Sequence, residues 1–243
     1  MNYFIIEQTI KPSVIKQLEK KLKAAHIEPT ILFTEKESIS NIIATRLKNV
    51  SAPISFVGSD YFIQNGIEAL NNIDISIAFF PLPKSNFLDI TGIKNWDEAI
   101  KLYVKNEPQA IDLIIINNKP FLSLVEIASN NKPISLTIDD KAQAIIAGDK
   151  IFIANTNLIG TTQETVQQGL FDALLDILVI KEQKGFFKKT KNIITSVLHG
   201  KKVAIETESP IPITFQNKEV TQTPCVITVK PTAIKLIVAF KKR

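Results

Sequence analysis

The sequence predicts an α/β domain with a parallel sheet covered by helices on both faces, followed by an all-β antiparallel sandwich. Three observations predict it. In the first half, short strands that are apolar throughout alternate with amphipathic segments, the pattern of a parallel sheet buried on both sides. From Ile111 onward, strand-like runs follow one another at hairpin spacing, with turn residues between them. The chain has 243 residues, 45% of them hydrophobic and 22% charged, which suits one large domain or two modest ones with a sizeable core. The pattern changes near Ala110, and the two domains are taken as 1–120 and 121–243, with the last strand free to return to the first domain.

Each element follows from its own residues. Tyr3–Glu7 reads as a strand, and Pro12 opens a helix with Val14, Ile15, Leu18, Leu22 and Ala25 on one face. Pro29–Phe33 is a second strand. Thr34 and Glu37 have the spacing of a capping box before a helix that turns Ile39, Ile42, Ile43 and Leu47 inward. Ile54–Val57 is a third strand, followed by a tight turn at Gly58-Ser59-Asp60 and a helix carrying Phe62, Ile63, Ile67 and Leu70. Ile75–Phe80 is a fourth strand, and Asn95 starts a helix running through Val104. Further on, Leu113–Ile116 and Phe121–Ile127 flank a turn, and Ile134, Leu136 and Ile138 alternate with polar residues. Gln143–Ala147, Ile151–Asn155, Leu174–Lys181, Lys202–Thr207, Ile211–Phe215, Val226–Val229 and Ile234–Phe240 continue the run of strands. Lys184–Asn192, with Phe186 and Phe187 among lysines, reads as a solvated loop before a docked helix at 193–198, or as a contact with an anionic membrane.

Composition narrows the function. Net charge is +5, mildly basic, which favours anionic membranes or nucleotides as partners; no nucleic-acid partner is expected. The two histidines, His26 and His199, are far apart in sequence and have no cysteine partners, so no zinc site is expected. Cys225 is the single cysteine, excludes an internal disulfide, and reads as a small buried apolar residue. The N-terminal residues carry no basic, apolar secretion signal, and no apolar run approaches the ~20 residues of a membrane span. A cytoplasmic location, with peripheral membrane contact left open, is the expectation. Glycines number only eight, few for a backbone that must approach a phosphate closely.

The stretch Ile54-Ser-Phe-Val-Gly-Ser-Asp-Tyr-Phe-Ile-Gln-Asn-Gly-Ile-Glu-Ala-Leu70, a strand, a tight turn and a helix, occupies the place of a phosphate-holding loop. With Pro81-Leu-Pro-Lys-Ser-Asn86 downstream, it resembles the signature of the diacylglycerol kinase and bacterial lipid kinase family. That family shows Gly-Gly-Asp-Gly-Thr at the first place and Pro-x-Gly-Thr-x-Asn at the second. Trp96–Val104, Ile111–Asn117 with Pro120–Val125, Phe171–Ile180 and Asn217-Lys-Glu219 resemble further family segments in the same order.

The resemblance implies a kinase fold with ATP phosphates on the first turn, carboxylates from the sandwich serving the lipid hydroxyl and Mg²⁺, and a cleft between the domains. Residue by residue, it implies nucleotide roles for Gly58, Ser59, Asp60, Pro81, Lys84, Ser85 and Asn86. It implies catalytic roles for Asp172 and Glu219, and metal roles for Asp60 and Asp176. ATP and Mg²⁺ are the cofactors if the chain is active. The chain departs from the pattern at Ser59, Tyr61 and Phe62, at Pro83 and Lys84, and at Phe171, Ala173 and Asn217. Glu7 stands where the family has an Asn-Pro turn, and would repel phosphate. The family's Gly-rich segment after the Phe-Leu hairpin is also missing. Two readings follow: a kinase-fold binding module with little or no phosphoryl transfer, or a divergent active lipid kinase. The partner in either is a lipid or an anionic membrane surface, and a homodimer stays open.

Overall fold

A computed structural model describes residues 1–34, 37–47, 50, 52–70, 73–83, 85–156, 169–184 and 190–240. It has two compact units, residues 1–111 with 232–243, and residues 112–231. Pro120 falls within the second.

In the first unit, strands β1 (Asn2–Ile6), β2 (Pro29–Phe33), β3 (Ile54–Gly58) and β4 (Ser76–Pro81) form a parallel sheet in the order β2-β1-β3-β4. Helices α1 (Pro12–Ala24), α2 (Ile39–Arg46), α3 (Asp60–Leu70), α4 (Asn86–Thr91) and α5 (Trp96–Lys105) join and follow the strands. The sheet buries both faces because its side chains alternate. Phe4, Ile6, Val57 and Phe80 point to one side, where Leu18 and Leu22 of α1 and Ala99, Ile100 and Tyr103 of α5 complete a cluster. Phe56 and Phe79 point to the other, against Phe62 of α3 and Phe87 of α4. Gly66 lies so close to the Phe56 ring that an added Cβ would sit 2.6 Å from it.

Several local expectations are corrected. Helix α2 is capped by Ser38, whose hydroxyl accepts from the Asn41 amide, and no Thr34–Glu37 capping box forms. Thr34 instead donates to the Ile6 carbonyl, and Glu37 pairs with Arg46. Helix α4 is an addition: Ser85 caps its start, and Gly92, at φ 71°, ends it in the left-handed conformation that glycine takes most readily.

The sandwich is made by a six-stranded antiparallel sheet and by the antiparallel end of the sheet that β1–β4 begin. Its strands begin with β5 (Pro108–Ile116), β6 (Lys119–Phe121), β7 (Leu124–Ile127), β8 (Ile134–Ile138), β9 (Ala142–Ile146) and β10 (Lys150–Ala154). After a short 3-10 turn at Gly169–Phe171 come β11 (Leu175–Lys184), β12 (Thr190–Gly200), β13 (Lys202–Glu206), β14 (Pro212–Phe215), β15 (Lys218–Gln222) and β16 (Cys225–Ile237). One sheet runs β12-β11-β10-β7-β14-β15; in the other, β16 pairs with β13, then β8 and β9. Strand β7 and its neighbours alternate buried and open positions, as a half-buried sheet requires.

The expected strand over 121–127 is two strands, because Ser123 adopts φ 100° and breaks the extended run. The stretch 193–198, read as a docked helix, is part of β12; Ile193, Ile194, Thr195 and Val197 are β-branched and suit a strand paired with β11. The two runs expected at 226–229 and 234–240 are one strand. Pro231 does not end β16, because it sits between the ladder to β13, which ends at Thr228, and the parallel ladder to β4, which starts at Lys235. Cys225 is buried, and desolvation pushes its thiol pKa up to about 11. Among the described residues, no helix is long and apolar enough to cross a membrane. Lys84 and residues 185–189, which include Phe186 and Phe187, lie outside the described residues.

Candidate functional site

The first unit has its topological switch between β1 and β3: β2 lies on one side of β1, while β3 and β4 lie on the other. Open α/β sheets bind ligands outside the carboxyl ends of the strands at such a point. Here those ends are Glu7, one residue past β1, and Gly58-Ser59, where β3 passes into α3. The Glu7 side chain reaches across. Its carboxylate accepts from the Ser59 amide at 2.7 Å and from the Ser59 hydroxyl at 2.8 Å. The Ser59 hydroxyl in turn accepts from the Phe62 amide at 3.3 Å. Phe62 is buried and covers Gly58 from the helix side: a Cβ built on Gly58 would lie 2.6 Å from the Phe62 ring and 2.9 Å from Glu7. Glu7 and Phe62 thus pack against the Gly58–Ser59 turn.

The structure brings Asp60, Ser85 and Asn86 together across 25 residues and more. Asp60 is buried; one carboxylate oxygen accepts from the Ser85 hydroxyl and the other from the Asn86 amide at 2.8 Å. Ser85 also accepts from the Phe87 amide at 3.1 Å. Asp60 thus links the start of α3 to the start of α4. Pro81 pairs in register with Gly58, and its carbonyl accepts from the Trp96 indole at 3.0 Å.

In the second unit, Asp172 and Asp176 flank the end of the 3-10 turn and the start of β11. Asp172 is exposed as a residue, and its carboxylate accepts from the Leu174 amide at 2.9 Å. Partial desolvation raises its pKa, and the charges of Asp176 and Asp112 add to the rise. Asp176 is buried and lies 2.7 Å from the Nδ1 of His199, directly opposite on β12. Asp112 is fully buried and accepts from the amide of Ala173, which has φ 57°. The Asn155 amide group donates to the Asp112 carbonyl at 2.6 Å, and its side-chain oxygen accepts from the Ser123 amide at 3.1 Å. Glu219 lies exposed on β15, opposite Thr214; no hydrogen bond or ion pair links it to these acids among the described residues.

Asp112 and His199 interact with the acids that the resemblance marks, though the resemblance gives them no role. Asp112 left a signal: it is a lone acid inside the apolar run Ile111–Ile116, and a buried carboxylate needs donors. His199 left none, because its partner lies across a hairpin.

The residues to which the resemblance assigns nucleotide and metal have partners within the chain. Glu7 and Phe62 pack against the turn at Gly58. Both Asp60 oxygens are committed to α4, and Asp176 is committed to His199. Among the described residues, no group of three or more His, Cys, Asp or Glu side chains could hold a metal ion.

The raised pKa of Asp172 has a definite sign. Its folded-state pKa lies above the unfolded value near 3.8, so the folded state holds the proton more tightly. Its ionisation opposes folding, and stability falls as pH rises through that window. Asp172→Asn is therefore expected to be more stable than wild type at neutral pH. Thermal melts across the acid range should show the difference vanish below the unfolded pKa. A variant less stable at neutral pH would refute the assignment.

No protein-family model and no curated protein sequence matches the chain. Among solved structures, it is similar to a diacylglycerol kinase from Bacillus anthracis str. Sterne: 19% identity, 98% of this chain and 96% of that one covered, TM-score 0.75. A second structure from the same organism, provisionally assigned as a diacylglycerol kinase, gives a TM-score of 0.76 at 19% identity over the same shares. At these identities the likeness establishes the fold: this chain has the two-part architecture of the diacylglycerol kinases.

Proposed function

We propose that this chain is a lipid-kinase-fold protein with little or no phosphoryl-transfer capacity, acting as a binding module toward a lipid or an anionic membrane surface. One observation carries the reading: the turn between β3 and α3 is filled by Glu7 and Phe62. Phosphoryl transfer depends on positioning and on charge stabilisation by donors already in place. A carboxylate in the phosphate position reverses the sign of the local charge. Pro83, in the second turn, offers no amide donor. Phe171 and Asn217 take the places of two acids in the kinase pattern. Each missing preorganised donor removes ~2.7–4 kcal/mol of transition-state stabilisation, by analogy with oxyanion holes. Each ~1.4 kcal/mol is a tenfold rate loss.

The expected result is no measurable ATP-dependent phosphorylation of diacylglycerol and no thermal stabilisation by ATP-Mg²⁺. A ligand at 100 times its Kd would add ~2.7 kcal/mol. A radiolabelled phosphate assay over a lipid panel, run beside thermal melts, checks both. Robust turnover lost in both Asp60→Ala and Asp172→Ala would overturn the reading and leave a divergent active kinase.

A further inference from the structure

We propose that the outer side of α1, together with its neighbour α5, is the face by which this chain docks on an anionic lipid bilayer. This rests on the reading above and names the surface that meets the membrane. Residues 11–24 carry five lysines and one acid, Glu19, which is half-buried. Lys16, Lys20 and Lys23 stand four and three residues apart, so they form one stripe along the helix. All three are exposed, on the side opposite Leu18 and Leu22, which enter the core. Ser13 and Gln17 beside them are exposed and uncharged.

The charge of this stripe finds no use within the chain. Lys21, on its flank, bonds both oxygens of Asp97 at 2.5 and 2.7 Å, which ties α1 to α5 and cancels the Asp97 charge. One turn beyond Asp97, Lys101 is exposed, and Val104 is 61% exposed. Both helices pack on the same face of the parallel sheet. Among the described residues, no ion pair or hydrogen bond engages Lys16, Lys20, Lys23 or Lys101. An anionic leaflet supplies the missing counter-charge. Lysine heads on long apolar stems reach a headgroup layer without fixed partners. Val104 adds a small apolar contact, which suits lipid rather than a nucleic-acid backbone. Neither helix carries arginine, whose planar fork binds the phosphates of nucleic acids and phosphopeptides in pairs. The stripe holds no large apolar residue, so the attachment is electrostatic and salt weakens it.

The test is sedimentation of the full chain with vesicles of equal parts phosphatidylglycerol and phosphatidylcholine. Wild type is expected to bind at ~0.1 M salt and to be released at ~1 M, as the Debye length falls from about 10 to about 3 Å. A lysine near an anionic leaflet strengthens binding about fivefold. Lys16→Gln/Lys20→Gln/Lys23→Gln is therefore expected to bind about a hundredfold more weakly, with an unchanged thermal melt. Lys132→Gln/Lys141→Gln/Lys201→Gln, at three exposed lysines of the second unit, makes the same change in charge and is expected to bind nearly as wild type does. An α1 variant that binds like wild type would overturn the proposal, as would an equal loss in the second-unit variant. Should the triple variant not fold, Lys20→Gln alone, expected to bind about fivefold more weakly, carries the test. If binding is lost in Lys188→Gln/Lys189→Gln while the α1 variant binds normally, the proposal fails and the membrane reading stands. A wild type that ignores these vesicles ends both. Equal binding to pure phosphatidylcholine, or tighter binding to double-stranded RNA, would overturn the anionic bilayer as the partner.

Discussion

Phe80→Ala is expected to destabilise the first unit by about 3–5 kcal/mol. Phe80 is fully buried on the α1 and α5 face of the parallel sheet. Its ring lies 5.3 Å from Phe4 and 6.3 Å from Tyr103, and Phe4 and Tyr103 lie 5.6 Å from each other. The three rings therefore form one mutual contact at the middle of the cluster. Truncation loses the transfer free energy of the ring and leaves a cavity that a sheet and two docked helices cannot easily close. The Tyr103 hydroxyl is tied to the Asn2 side chain at 2.9 Å, so that ring is not free to swing into the gap. The loss would be a large part of the ~5–15 kcal/mol typical of a whole domain. Trp96, the only tryptophan, is partly buried against the same cluster, and its fluorescence follows unfolding of this unit by urea. A shift below about 1 kcal/mol would mean that the cluster repacks around the missing ring.

The same cluster shows what could be read from the sequence. The inward residues of α1, such as Leu18 and Leu22, were legible because an amphipathic helix and a buried strand have different apolar periods. The helix cap was misplaced because Thr34 and Ser38 both precede the apolar run, and only tertiary contact gives the Thr34 hydroxyl to the Ile6 carbonyl. Helix α4 was missed because six residues are too few for a periodic signal, though Ser85 and Gly92 mark its ends. The break at Ser123 has no composition cue. The runs Val226–Val229 and Ile234–Phe240 read as two strands, since nothing local reveals that β16 continues through Pro231 and changes partners there.

For the candidate site, the resemblance identified positions but not partners. Asp60 comes from the first motif, Ser85 and Asn86 come from the second, and the three meet in the structure. Glu7 was read as a charge hostile to phosphate; that it bonds Ser59 depends on the order of β1 and β3 in the sheet. The contacts Asp112–Ala173 and Asp176–His199 span 61 and 23 residues; the first depends on tertiary structure and the second on the register of the β11–β12 hairpin.

Asp60→Ala is expected to cost the first unit about 2–4 kcal/mol, since hydrogen bonds to charged groups each contribute about 1.5–3 kcal/mol and relief of the buried charge offsets part of the loss. The two roles open to this residue make opposite forecasts. A carboxylate kept for metal or nucleotide is poorly satisfied in the free protein, so its removal costs little stability or even increases it. A carboxylate that holds two chain segments together costs stability when removed, because its donors are left behind. Here one donor is the amide of Asn86, at the start of α4, and the other is the hydroxyl that caps that helix. Alanine leaves the amide without its partner at a buried carboxylate's place, and Ser85 loses the acceptor that orients its hydroxyl toward the cap. The effect should reach Trp96 through the same turn, because Pro81, which begins it, accepts from the indole. Urea unfolding followed by Trp96 fluorescence gives the stability change. Amide hydrogen exchange gives its location, with Asn86 and Phe87 losing protection before the β3 amides do. Asp60→Asn, which keeps one acceptor but offers a donor where Asn86 also donates, should fall between wild type and alanine. An alanine variant as stable as wild type would end the structural assignment of Asp60 and return it to the ligand-binding roles that the sequence resemblance implies.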